Sequence, residues 1–194
     1  MLVLSCWSQS DNNVGLIAAK VSIEVDELLA SLEGSIAVLH LEFSSSPFNS
    51  QSLAQVKSIC QEINWALGRL LFLSVSLPVV LQDRLARSAG MLDHRSIGDI
   101  MAVLSIVEQA LKTGNALPEV LPTPLLKHCD EYWQNSSLEI ISSRDLIRDE
   151  NYRKFCVAVS SYLKFLSAVD ELVLVVKGTL GESHIISKEL PGGV

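Results

Sequence analysis

Three prolines within seven residues constrain this chain's fold more than any other feature. They are Pro118, Pro122 and Pro124 in the segment Leu117-Pro118-Glu119-Val120-Leu121-Pro122-Thr123-Pro124. A proline fixes its own φ, removes a backbone donor and pushes the residue before it toward extended geometry. No helix can therefore run through residues 117–124, although the chain on both sides carries a helical period. The segment has two readings. As a connector it stiffens the link between two helices, with Leu117, Val120 and Leu121 covering the end of a bundle. As a docking segment, Leu117, Pro118, Val120, Leu121, Pro122 and Pro124 form an edge for a partner, because an extended proline stretch binds with little ordering cost.

The flanking pattern predicts helices. Ile17, Val21, Val25, Leu28, Leu29, Leu32, Ile36 and Leu39 recur at steps of three and four, the mark of one helical face. Gly34 weakens that run and allows two shorter helices. Ser50 or Ser52 is placed to cap a second helix, which turns Leu53, Val56, Ile59, Cys60, Ile63, Leu67, Leu70 and Leu71 inward. Pro78 starts a short third helix that Gly90 ends. Asp93 or Ser96 caps a fourth, with Ile97, Ile100, Met101, Leu104, Val107 and Leu111 inward and Lys112 and Gly114 at its end. Thr123 and Pro124 read as N-cap and first position of a helix reaching Trp133. Residues 134–143 read as a loop. A last helix from Asp149 aligns Tyr152, Phe155, Cys156, Val159, Tyr162, Leu163, Leu166, Val169, Leu172, Val173 and Val176, and Gly178 closes it. The predicted fold is all-α, an antiparallel bundle of about five to seven helices. It occupies residues 14–187, between a flexible N-terminus (1–13) and a disordered tail (188–194).

Apolar residues make up 48% of the 194 and charged residues 19%, and the mean hydropathy of +0.33 raises the question of a membrane span. A spanning helix needs about 20 apolar residues. The longest charge-free stretches, residues 43–56 and 70–82, fall short of that, and the second contains Pro78. The excess apolar surface must pack in a core or against something else. A chain of this length buries roughly 70% of its unfolded surface and needs no disulfide or metal to hold it. Cys6, Cys60, Cys129 and Cys156 lack paired spacing and read as free thiols in a reducing compartment. The formal net charge of −7 argues against nucleic acid or anionic lipid as the direct partner.

Catalytic chemistry finds little support. His128-Cys129 is the one adjacent pair of reactive types, yet neighbours on a helix point about 100° apart and cannot serve each other. The remaining cysteines and histidines stand at spacings that do not build a metal site. Asp149-Glu150 suits the acidic first turn of the last helix. Asp170-Glu171 interrupts an apolar stripe and reads as a buried ion pair with Arg69, Lys164 or Arg153. Arg144, Arg148, Arg153 and Lys154, mixed with Asp145, Asp149 and Glu150, read as a solvated face. No catalytic, metal or cofactor-binding residue is assigned, no cofactor is expected, and the chain is read as not an enzyme.

Two long segments carry a resemblance. One opens Gly90-Met91-Leu92-Asp93-His94-Arg95-Ser96-Ile97-Gly98-Asp99-Ile100 and runs through the proline segment to Leu126. The other opens Arg148-Asp149-Glu150-Asn151-Tyr152-Arg153-Lys154-Phe155 and continues through Asp170-Glu171-Leu172-Val173 to Glu182. Together they resemble the C-terminal soluble region of a family of large fungal membrane proteins. That family is grouped with endoplasmic-reticulum transporters and aromatic acid exporters, and it includes the brefeldin A sensitivity protein. The likeness covers residues 50–187 and reaches toward the helix from Ile17, leaving residues 1–13 outside it. It implies a cytosolic helical domain that regulates or assembles a transporter at the face of a membrane, the endoplasmic reticulum or another. Its partner would be a membrane-embedded transporter half or another protein subunit, with self-association as a further expectation. The membrane-spanning helices that family members carry upstream are absent here, so the chain reads as a fragment or as a lineage without its membrane half. The alternative is a free-standing helical protein-binding module.

Overall fold

The computed structural model describes residues 12–39, 48–88, 90–91, 93–135 and 148–183. Six helices form among them: α1 (Asn12–Leu39), α2 (Ser50–Ser76), α3 (Val79–Ser88), α4 (His94–Thr113), α5 (Leu125–Asn135) and α6 (Glu150–Leu180). The all-α class expected from the periodicity is what forms. Expectations for residues up to 11 (Cys6 included), for 136–147 (Arg144 and Asp145 included) and for the tail 188–194 lie outside the described residues. Gln134 and Asn135 still belong to α5.

α6 is the axis of the fold. Ala158, Tyr162, Phe165, Leu166, Val169, Leu172, Val173 and Val176 are all buried, and α2, α3, α4 and α5 each pack against it. The predicted stripe is present, except that Cys156 is exposed and Gly178 does not stop the helix. The stop falls at Gly181 (φ 84°), whose N–H bonds to the Lys177 carbonyl. Asp149 caps the start by accepting from the Asn151 N–H at 2.9 Å. Glu150 pairs with Lys154 at 2.7 Å.

Capping residues set the other boundaries, not always those the sequence suggested. α2 is capped by Asn49, which accepts from both Ser52 N (2.6 Å) and Ser52 Oγ (2.9 Å). Ser52 is thus a donor, and the Asn49 side chain, just before Ser50, is the cap. Asp93 caps α4 by accepting from Ser96 N at 2.9 Å. That bond holds the Asp93 carboxyl below its usual range. The cap's contribution is therefore present above the unfolded carboxyl's pKa and is lost as pH falls through the lowered folded value. Gly114 closes α4 in the left-handed region (φ 70°), which costs glycine nothing. Within α4 the inward face is rotated from the expected one. Val103, Val107 and Ala110 are buried, Leu104 is half-buried, and Met101 is 59% exposed.

α1 runs unbroken through Gly34, so the two-helix alternative does not occur. One helical glycine costs about 1 kcal/mol, which cooperative hydrogen bonding on both sides and packing along α2 offset. α1 and α2 form an antiparallel hairpin. Lys57 pairs with Glu33 at 3.2 Å, and the Asn64 side chain donates to Ser22 O and to Asp26 Oδ1, both at 2.8 Å. Gly68 permits the closest approach, since a Cβ there would lie 3.1 Å from Ser22 Oγ. α1 packs on little besides α2. Ile17, Val21, Leu28 and Leu32 therefore remain exposed although their spacing is that of a core face.

The proline segment is the departure from helix. Its β1 (Leu117–Pro118) pairs in parallel with β2 (Glu182–Ser183), just past the end of α6. Leu117 N donates to Gly181 O, and Glu119 N donates to Ser183 O. Lys177 Nζ donates to Glu119 O at 2.9 Å while pairing with Glu182 at 3.0 Å. Leu117 (0% exposed) and Leu121 are core residues. The segment is a connector clamped to the exit of α6.

Truncating a fully buried leucine removes transfer energy and leaves a cavity. Leu166→Ala is expected to cost about 2–5 kcal/mol. Leu104→Ala, half-buried, is expected to cost clearly less. Urea unfolding midpoints at unchanged m-value check the order; equal losses would misplace the α4 face.

Candidate functional site

An open concavity lies where α5 crosses α6, next to the clamped proline segment. Its formation depends on how α5 begins. The first four N–H groups of any helix lack intrahelical acceptors. In α5 two of them are satisfied from a distance in sequence: Asp170 of α6 accepts from Leu125 N at 2.7 Å and from Leu126 N at 3.0 Å. A carboxylate at a helix N-terminus is further favoured by the helix dipole. This arrangement revises two expectations. Thr123 does not cap α5; a residue more than forty positions away does. Asp170 and Glu171 do not form a buried ion pair. Among the described residues neither pairs with a cation within 4 Å: Lys164 is turned to Glu62 instead, and Glu171 is exposed.

The groove that results holds about 690 Å³ and is lined by Pro124, Leu126, Lys127, Asp130, Trp133, Leu163, Ser167, Asp170, Glu171 and Leu174. Its floor is apolar, formed by Leu126, Trp133, Leu163 and Leu174. Leu174 is 69% exposed although Leu172, Val173 and Val176 beside it are buried. The lip is polar and mainly acidic. Lys127 is engaged with Glu131 at 3.7 Å, Asp130 accepts from Gln134 Nε2 at 2.9 Å, and Glu171 faces solvent. An apolar floor with a few convergent polar groups and a volume of several hundred Å³ is the usual form of a binding site.

The six residues of the proposed docking segment separate here. Leu117 and Leu121 are buried, Pro118 and Pro122 are half-buried, Val120 is 86% exposed outside the groove, and Pro124 lines it. Trp133 and Leu174, which line the floor, carry no motif. The one available signal for them was an apolar residue on α6 (Leu174) lying off the main stripe.

On the other side of α5 is a small, partly open space of about 20 Å³, lined by residues that include Ser96, Asp99, His128, Cys129 and Tyr162. It has room for one water and for no substrate. Burial, with Asp130 adding to it, pushes the Cys129 thiol up to about 11. Burial also raises the Tyr162 hydroxyl. His128 is exposed while Cys129 is buried, although both border this small space. Among the described residues no group of three or more His, Cys, Asp or Glu side chains could hold a metal ion.

Two outcomes follow. Asp170→Ala strands two helix N–H groups and is expected to cost about 1–2 kcal/mol, while Glu171→Ala stays within about 0.5 kcal/mol. Paired denaturant titrations decide, and equal costs would show that the cap is not structural. A buried thiol with a raised pKa is a poor nucleophile. Brief iodoacetamide treatment at pH 8 should therefore label Cys156 and spare Cys129, as read by peptide mass spectrometry.

Comparison with known proteins places the chain at the level of family. No solved structure matches the chain. An uncharacterized protein of Schizosaccharomyces pombe is similar to it, 28% identical over 126 residues that cover 56% of this chain and 9% of that protein. The chain therefore aligns with a small part of a much longer relative. The model of the brefeldin A-sensitivity protein 4-like domain matches residues 1–184 and so takes in the first thirteen residues, which the motif resemblance had left out. With nearly its whole length matched, the chain belongs to the brefeldin A-sensitivity protein 4-like domain family.

Proposed function

We propose that this chain is a non-enzymatic assembly or regulatory domain that docks on the membrane-embedded half of a transporter of the aromatic acid exporter type. Docking would take place at the cytosolic face of a membrane such as the endoplasmic reticulum. The observation that carries this reading is the α5–α6 groove. Its leucine and tryptophan floor is open to solvent in a chain whose described helices are all too short or too polar to cross a membrane. Such a floor takes the apolar face of an amphipathic helix, with anchors one turn apart. The acidic lip formed by Asp130 and Glu171 adds selectivity, favouring a segment with lysine or arginine beside its apolar anchors. Cytosolic flanks of membrane helices have that composition. The alignment of this chain to 9% of a longer relative supports a role as one part of a larger machine.

The test uses Leu174→Glu, which alters an exposed position and should leave the melting curve unchanged. The wild-type domain is expected to co-purify with the detergent-solubilised membrane half of a full-length family member. The variant should lose affinity about tenfold or more, the effect of burying a charge in an apolar contact. Equal recovery of variant and wild type would remove the groove as the docking site. Recovery of neither, with the wild type well folded, would remove the membrane half as the partner.

A further inference from the structure

A second apolar surface lies away from the groove. At one corner of the molecule the start of α1, the end of α2 and the start of α3 meet. A Cβ on Gly15 would lie 3.7 Å from Val75 Cγ2, which places the first turns of α1 beside the last turn of α2. Gln82 Nε2 bonds to Ser74 O (3.0 Å) and Leu77 O (2.9 Å), folding α3 back on the end of α2. The large side chains at this corner point outward: Leu16 is 72% exposed, Ile17 56%, Phe72 75%, Val75 47%, Val79 76% and Val80 79%. Neither residues 12–19 nor residues 70–82 contain a charge. Solvent-exposed apolar residues scattered singly need no explanation, but six of them on three neighbouring helix ends do.

Around this crown the charge has the opposite sign to the chain as a whole. Arg69 lies over the Trp65 ring at 5.9 Å. Arg84 lies over the Phe155 ring at 5.9 Å, which brings the first turns of α6, with Arg148, Arg153 and Lys154, to the same end. The carboxylates here are Asp83, Asp149 and Glu150, with Asp26 and Glu24 of α1 beside the Trp65 turn of α2, Asp26 accepting from Asn64 and Glu24 paired with Lys20. Asp83 is paired with Arg87 at 3.0 Å and Glu150 with Lys154. The cations outnumber the acids at this end, whereas the whole chain carries −7.

We propose that this corner rests on an anionic lipid surface. Trp65 precedes Phe72 by two turns, about 10 Å along α2. Phe72, Val75, Val79 and Val80 enter the acyl boundary to the depth an interfacial element reaches. Trp65 and Arg69 then stand at headgroup level, where an amphipathic ring and a long cationic side chain are favoured. The surrounding arginines meet the negative surface potential. The expectation drawn from net charge, which argues against anionic lipid, treats the charge as evenly spread, and it is not. This surface is separate from the α5–α6 groove and does not depend on the docking reading.

The experiment is co-sedimentation of the full chain with vesicles of phosphatidylcholine alone and of phosphatidylcholine mixed equally with phosphatidylserine. Binding is expected to the mixed vesicles and to weaken as salt rises. Phe72→Asp combined with Val80→Asp should lower it about tenfold or more, with the helical circular dichroism and melting curve retained because both sites are exposed. Arg69→Glu should narrow the difference between the two vesicle types. Leu174→Glu, in the groove, should leave lipid binding unchanged. The proposal is overturned if the wild type ignores mixed vesicles, if it binds neutral vesicles equally well, or if the double aspartate variant binds as the parent does. A loss of self-association in that variant without loss of vesicle binding assigns the corner to a second copy and likewise overturns it.

Discussion

The burial of α6 on more than one face is the constraint on which the rest of the structure depends. Its inward residues span a broad arc, so no single partner helix can cover them. α2, α3, α4 and α5 each take a portion, and the proline segment covers the end. Each buried Leu, Val or Phe contributes about 1.5–3 kcal/mol relative to exposure, so one long apolar helix fixes how much surface the others must supply. α1 is the exception that shows the rule. It packs on α2 and on little else, and half of its apolar stripe stays in water.

Asp170 joins this hydrophobic axis to a specific arrangement. Apolar burial is non-directional and would let α5 slide along α6. Two hydrogen bonds of 2.7 and 3.0 Å from the α5 N-terminus to one carboxylate fix its start. The clamp of Leu117 and Glu119 on the exit of α6 fixes the chain that leads into it. With its start and the chain leading into it defined, α5 leaves Leu174 uncovered and the groove open. An acid on an apolar helix is thus retained by the donors of another helix rather than by a cation, and its neighbour Glu171 stays in solvent as part of the lip.

The two exposed apolar surfaces differ in shape and in the charge around them. The groove is concave with an acidic lip, complementary to a helix that brings its own cations. The corner is a helix–turn–helix end crowned by uncharged side chains and ringed by arginines. Exposed apolar side chains gather at these two places and also run along α1, at Val21, Leu28 and Leu32. Charge alone, summed over the whole molecule, hides the contrast between them.

Local chemistry decided what could be read from the amino-acid order. The three–four spacing of Tyr152–Val176 and Leu53–Leu71 showed the helices and most of their buried faces. The ring constraint of Pro118, Pro122 and Pro124 showed where helix must stop, and Gly114 and Asp93 marked two ends, because each acts within a turn of itself. The family likeness too lay in the residue strings. Tertiary structure alone decided which apolar stripe is covered. The spacing of Ile17, Val21, Leu28 and Leu32 is that of a core face, yet burial depends on how many helices reach it. It decided that Thr123 yields the cap of α5 to Asp170, because a free N–H takes whichever acceptor the fold delivers. It also brought Pro124, Trp133 and Leu174 into one groove. Their positions in the chain carry no shared period, and only the packing of α5 on α6 makes them neighbours.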